Sequence, residues 1–165
     1  MNIEPTTTNI EQLFSSSQNG DLTFNDKIVS QLDGQRQYFG GSLWSGGLEE
    51  IDSTQMYMTK ISRSFTMQIT GTPVTLPHTK TFAAGWTWIS HPYDSDIPIN
   101  SVLTNLDFEW RTEDKIVSQT EGQIQYFGTD SSGQEIWSGS LTHMKAGKGY
   151  MVKTSSGGPA IYSSM

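Results

Sequence analysis

A chain of 165 residues is long enough for one ordinary domain or two small ones, and too short for two large cores. Its 17 acidic against 10 basic side chains, a formal net charge of -7, deny it the basic face that nucleic-acid phosphates require. With no cysteine it has no disulfide, no thiol catalysis and no thiolate metal site.

Charged residues make up only 16%, while Gly, Ser, Thr, Asn and Gln are abundant, a surface expected of a β-rich extracellular domain rather than a cytoplasmic helical one. No apolar run approaches membrane-spanning length. The first residues, Met1-Asn2-Ile3-Glu4-Pro5, carry neither the basic nor the apolar region of a signal peptide, and the chain reads as a piece of something longer.

In chain order, Asn9-Ile10-Glu11-Gln12-Leu13-Phe14 has helical spacing and follows a threonine run suited to capping it. Asp26-Lys27-Ile28-Val29-Ser30-Gln31 then opens a series of short β runs and returns unchanged as Asp114-Lys115-Ile116-Val117-Ser118-Gln119. The match continues. Gln37-Tyr38-Phe39-Gly40 answers Gln125-Tyr126-Phe127-Gly128, Trp44-Ser45-Gly46 answers Trp137-Ser138-Gly139, and Tyr57-Met58-Thr59-Lys60 answers Tyr150-Met151-Val152-Lys153. The offset is 88 residues before the Tyr-Phe-Gly and 93 after it, as the numbering shows, so residues 129–135 form a longer hairpin loop in the second copy. A period near 90 suits a small domain used twice rather than a solenoid.

Residues 64–74, centred on Phe65-Thr66-Met67-Gln68-Ile69-Thr70, read as a strand closing the first unit, with Pro159-Ala160-Ile161-Tyr162 as its counterpart. Pro73, Pro77 and His78 make a short, stiff connection, so the units at 1–76 and 77–165 are expected to pack side by side. In the second unit, Gly85-Trp86-Thr87-Trp88-Ile89-Ser90 is a strand with both indoles on one face. Ile99, Val102, Leu103 and Leu106 then have helical spacing. Residues 115–119, 123–127, 136–141 and 150–154 read as strands separated by turn residues. The first unit has no Trp-rich strand: its opening Asn2-Ile3-Glu4-Pro5 echoes the region of Ile97-Pro98. Either the chain starts inside a repeat of a longer array, or a neighbouring chain completes the unit. The expected fold is therefore mainly β: two tandem, homologous antiparallel units, barrel- or sandwich-like, each with one short helix.

The pattern Trp86-x-Trp88-Ile89-Ser90, Asp114-x-Ile116-x-Ser118-Gln119, Trp137-x-Gly139-Ser140-Leu141 and Gly147-x-Gly149-Tyr150-Met151-x-Lys153 resembles a tandem β-rich repeat module of large secreted and cell-surface proteins of bacteria and marine algae. The resemblance spans nearly the whole chain. The first unit departs from it at Asp52-Ser53-Thr54-Gln55, where the Gly-x-Gly turn is missing. The resemblance implies an extracellular, non-catalytic module.

No catalytic motif contradicts this. His78, His91 and His143 lie in separate loops without zinc spacing, and no Gly-x-Ser-x-Gly elbow or P-loop is present. Among Glu109, Glu113 and Asp114 only the last recurs, as Asp26, which points to a structural role. An enzyme would need a cleft lined by two or more carboxylates. Asp94-Ser95-Asp96 and Asp130-Ser131-Ser132-Gly133 are oxygen-rich loops of a kind that holds calcium, so Asp94 and Asp96 are candidate calcium ligands, although ordinary turn chemistry explains both loops. No other cofactor is expected. Trp44, Trp137, Tyr38 and Tyr126 beside the variable hairpin are the candidate ligand-binding aromatics. Trp86, Trp88, Tyr57 and Tyr150, mid-strand, read as core, and Trp110, matched by Leu22, as a local peculiarity. The expected role is adhesion or binding of a glycan or surface protein, without membrane insertion. The competing role is a spacer or assembly unit that contacts neighbouring repeats or chains of its own kind through strand exchange.

Overall fold

The computed structural model describes residues 2–15, 22–64 and 66–164. It is mainly β, 45% strand and 8% helix, in several antiparallel sheets and without a closed barrel among the described residues, so the sandwich-like form holds and the barrel does not. The elements begin with β1 (Ile3–Pro5), α1 (Ile10–Ser15), β2 (Lys27–Ser30), β3 (Gln35–Gly40), β4 (Leu43–Ser45), β5 (Tyr57–Lys60) and β6 (Gly71–Pro73). They continue with β7 (His78–Phe82), β8 (Gly85–Ser90), β9 (Ile97–Pro98), α2 (Ile99–Asn105), β10 (Leu106–Asp107), β11 (Lys115–Ser118), β12 (Gly122–Thr129), β13 (Glu135–Gly139), β14 (His143–Met144), β15 (Gly149–Thr154) and β16 (Gly158–Tyr162).

The hexapeptides supply β2 and β11, each an interior strand of the main sheet of its unit. The first sheet runs β4-β3-β2-β5 and the second β13-β12-β11-β15-β8. Registers agree: Lys27 faces Gln37 and Lys60, and Lys115 faces Gln125 and Lys153. Alternation turns Ile28 and Ile116 into the two cores. The serine ends the strand: Ser30 Oγ accepts from the Leu32 and Asp33 amides, as Ser118 Oγ does from those of Thr120 and Glu121.

The aspartate that opens each hexapeptide is buried. Asp26 accepts from the Thr23 amide at 2.8 Å and from the Ser62 amide and hydroxyl at 2.8 and 2.7 Å. Asp114 repeats this with the Arg111 amide at 2.9 Å and the Ser155 amide and hydroxyl at 2.8 and 3.0 Å. Each carboxylate thus ties the turn entering β2 or β11 to the chain leaving β5 or β15.

Two apolar clusters follow the two sets of elements. Among the described residues six buried ones, including Ile10, Leu13, Phe14 and Ile28, form the first. The second has seventeen, including Phe82, Ile89 and Tyr93 from a stretch that no described residue of the first unit replaces. A second layer, β10-β16-β7 with α2, covers the main sheet of the second unit. In the first unit the layer is, among the described residues, α1 and the pair β1-β6.

Several expectations need correction. The cap of α1 is Asn9, whose side chain accepts from the Gln12 amide at 3.1 Å, and not a threonine. Asn9 bridges to Glu50 as β9 pairs with β14, so Asn9, and not Asn2-Ile3-Glu4-Pro5, is the counterpart of Pro98. The closing strand of the first unit is Gly71–Pro73, paired with β1. Of the segment expected there, Phe65 lies outside the described residues and 66–70 form no strand, although Met67 and Ile69 pack on the core. Their counterpart β16 is a strand because β10 and β7 flank it. Trp86 and Trp88 do share a face, but it is the outer one. Trp86 is 42% exposed while Thr87 and Ile89 point inward. Of the tyrosines expected in the core, Tyr150 is fully buried and Tyr57 half-buried.

The units touch where β8 has its free edge. The Gln31 side chain donates to the Trp86 carbonyl at 2.7 Å and accepts from the Trp88 amide at 2.6 Å, doing locally what a further strand would do. Ser90 Oγ donates to the Ser53 carbonyl, and Lys80 reaches Thr54. A Cβ on Gly149 would overlap Met56.

His91, buried in the second unit, donates from Nε2 to the Ser95 carbonyl at 2.9 Å. Burial holds its pKa below the ordinary value, against smaller opposing effects of Ser95 and Asp96. Burial alone would raise the Asp26 carboxyl, but the hydrogen bonds from Thr23 and Ser62 outweigh it and leave the pKa lowered. Both groups stabilise the fold above their unfolded pKa values and lose that contribution as pH falls. Stability is therefore expected to drop below about pH 6.5 and again below about pH 4. Chemical denaturation across pH checks this, and His91→Phe shrinks the first step to the part due to His78, which burial also holds below its ordinary pKa. Asp114→Ala leaves three donors unanswered and is expected to cost about 3 kcal/mol in denaturant unfolding.

Candidate functional site

The same cleft occurs in both units, between the short helix and the tryptophan that β4 or β13 carries. In the first, α1 presents Glu11, Gln12 and Phe14, and the facing wall is Tyr38, Ser42 and Trp44, around an open volume of about 600 Å³. In the second, α2 presents Asn100, Leu103 and Thr104, and Trp137 faces them with Glu135 and Gln134, around about 710 Å³. Both volumes suit a small organic ligand.

The local sequence explains the placement. Tyr38 faces Trp44 across the hairpin as Tyr126 faces Trp137, and the register shifts at the following Gly40 or Gly128. At Gly46 and Gly139 the neighbouring strand comes so close that a Cβ would overlap the Gln35 or Gln123 carbonyl. Glycine at these positions lets the tryptophan strand lie against its partner. On the other side Ile10 and Ile99 seat the helix, each amide donating to a carbonyl of the main-sheet unit, Glu49 and Thr142 respectively. Arg36, in the register position of Ile124, forms an ion pair with Glu11 and donates to the Gly46 carbonyl at 2.6 Å, locking α1 to the hairpin.

Three of the four expected aromatics, Trp44, Tyr38 and Trp137, line these clefts. Tyr126 does not. It is only 7% exposed and packs under Trp137 with ring centroids 5.1 Å apart. Burial, then the charge of Glu135, pushes its hydroxyl pKa up. The tryptophans are half-buried and braced. Trp44 lies 5.5 Å from Phe14 and 5.0 Å from Tyr38. Trp137 lies 5.0 Å from Trp110 and donates from its indole nitrogen to Glu135 at 3.0 Å. Trp110 is thus no peculiarity but a buried support, and the apolar match to Leu22 was the signal for a core position. The helix wall was missed because Glu11, Gln12 and Asn100, the first half-buried and the others exposed, are polar residues with nothing in the chain order to link them to a hairpin.

The remaining candidates are elsewhere. Asp94 is exposed, and Asp96 accepts from the Ala146 amide at 3.0 Å, which ties two loops together. No group of three or more carboxylates or histidines able to hold a metal ion occurs among the described residues. Asp130 spends its carboxylate on its own turn, accepting from Ser132 and Gln134. Two carboxylates, Asp107 and Glu135, do line the second cleft. Both are exposed, and Ser42 stands at the place of Glu135 in the first cleft. A hydrolytic pair needs one carboxyl shielded so that it keeps its proton near neutral pH.

Comparison with protein-family models, with curated proteins and with solved structures found no match to this chain.

Proposed function

We propose that the chain is a non-catalytic binding module of a larger extracellular or cell-surface protein, with one saccharide-sized cleft in each unit. The observation that carries this reading is the recurrence of the cleft, with a braced tryptophan opposite a helix, although the side chains around it differ between the units. An indole held half-exposed offers a flat apolar face to a sugar ring. The amides of Gln12 and Asn100 and the carboxylates of Glu11 and Glu135 offer partners for hydroxyl groups. The different polar rims suit two related rather than identical ligands. The extracellular setting rests on the polar, weakly charged composition and on the resemblance to secreted repeat modules.

The test is a glycan panel read by calorimetry and by intrinsic tryptophan fluorescence. A saturable response is expected. Trp44→Ala and Trp137→Ala should each weaken one site about thirtyfold, the effect of losing about 2 kcal/mol of aromatic contact. Trp86→Ala, exposed but outside both clefts, should change nothing. Bound oligosaccharides are expected to be recovered uncut; cleavage abolished by Glu135→Gln would overturn the non-catalytic reading, and silence across the panel would overturn the saccharide.

A further inference from the structure

The first unit lacks, among its described residues, anything in the place that β8 takes in the second. In the second unit β8 pairs with β15 over six residues, from Gly149 opposite Ser90 to Thr154 opposite Gly85. The counterpart of β15 is β5, which ends its sheet with one edge unpaired among the described residues. Burial records the difference. Tyr150 and Val152 are fully buried, whereas Tyr57 is half-buried and Thr59 exposed.

Behind β5 lies an apolar hollow of about 170 Å³, lined by Ile10, Leu13, Ile28, Ile51, Met67 and Ile69, with Gly147-Lys148-Gly149 of the second unit on one side. Their second-unit counterparts share one cluster with Phe82 and Ile89. A dry cavity of about 150 Å³ accepts a benzene ring, so this one has room for one large apolar side chain. The edge carries no proline or bulge that would block pairing; Lys60, at its end, is its only charged residue.

The outer face of β5 says which strand fits. In the second unit Trp88 sits opposite Met151 and Trp86 opposite Lys153. The same two residues, Met58 and Lys60, stand at those positions on β5, and Tyr57 stands where Tyr150 faces Ile89. A strand with tryptophans two apart, followed by an aliphatic residue, would find its thioether and ammonium partners in register and its aliphatic side chain over the hollow. The β8 of a second copy is already held by β15, so it is not the free source.

We propose that the first unit is a strand acceptor. A segment of another polypeptide with the pattern Trp-x-Trp-Ile-Ser pairs antiparallel with β5 and buries its isoleucine in the hollow. This surface is separate from the two clefts, and neither proposal depends on the other.

The test adds a synthetic peptide of residues 78–93 to the intact chain. Binding is followed by calorimetry and by hydrogen exchange resolved to β5. Saturable binding is expected, with amide exchange at Tyr57–Lys60 slowed at least tenfold. The Ile89→Asp peptide should bind at least tenfold more weakly. Thr59→Asp in the protein should have the same effect while leaving unfolding of the free chain unchanged, because Thr59 is exposed there. Unchanged exchange on β5 at saturating peptide would overturn the proposal, as would equal affinity for both peptides. Dimers of the protein alone that protect β5 and resist the peptide would also overturn it, in favour of two copies joined edge to edge.

Discussion

A buried aspartate at the start of an interior strand is the interaction on which each unit depends. Asp26 and Asp114 each gather an amide from the turn behind them and an amide and hydroxyl from the serine beyond the neighbouring strand. Taking a carboxylate out of water is costly, and only this full set of donors offsets it. The residues just before, Asn25 and Glu113, have φ values of 73° and 77°, a conformation few side chains adopt. The turn is thus bent to bring donors to the carboxylate. Once it is in place, β2 and β5, or β11 and β15, are held in one register, and the hairpins beyond them follow.

From this common sheet the units diverge by what lies beside β5 and β15. With β8 alongside, Tyr150 and Val152 are sealed and a core of seventeen buried residues assembles. Without it, the first core has six buried residues among the described ones, and the segment 66–70, lacking strands like the β10 and β7 that flank β16, forms no ladder. A ladder needs partners for its backbone groups, and sequence resemblance to β16 cannot supply them. The first unit leans instead on the second. Gln31 bonds to β8 at both ends of its amide, and Met56 fits against Gly149 only because that residue has no side chain.

The clefts belong to the other side of each unit. They arise where a helix of fewer than eight residues leaves the hairpin half-covered, so that Trp44 and Trp137 are packed on one face and open on the other. Rings that touch Phe14 and Tyr38, or Trp110 and Tyr126, cannot turn away from the opening. A preset indole loses little entropy when a ligand arrives, which is what a binding surface requires.

The amino-acid sequence by itself determined the repeat, the strand character of the hexapeptides, the longer hairpin at residues 129–135 and the positions of both helices. These follow from alternation, helical spacing and turn residues, which are local and survive without knowledge of neighbours. The same local rules put Trp86 and Trp88 on one face but could not say which face was covered, and it is the outer one. Period two assigns companions, whereas burial depends on the layer that packs above. Only the tertiary structure brought α1 to Trp44 and α2 to Trp137, sank Tyr126 beneath its neighbour, and set the Gln31 amide on the edge of β8. Those contacts join residues distant in the chain, and no spacing along it encodes them.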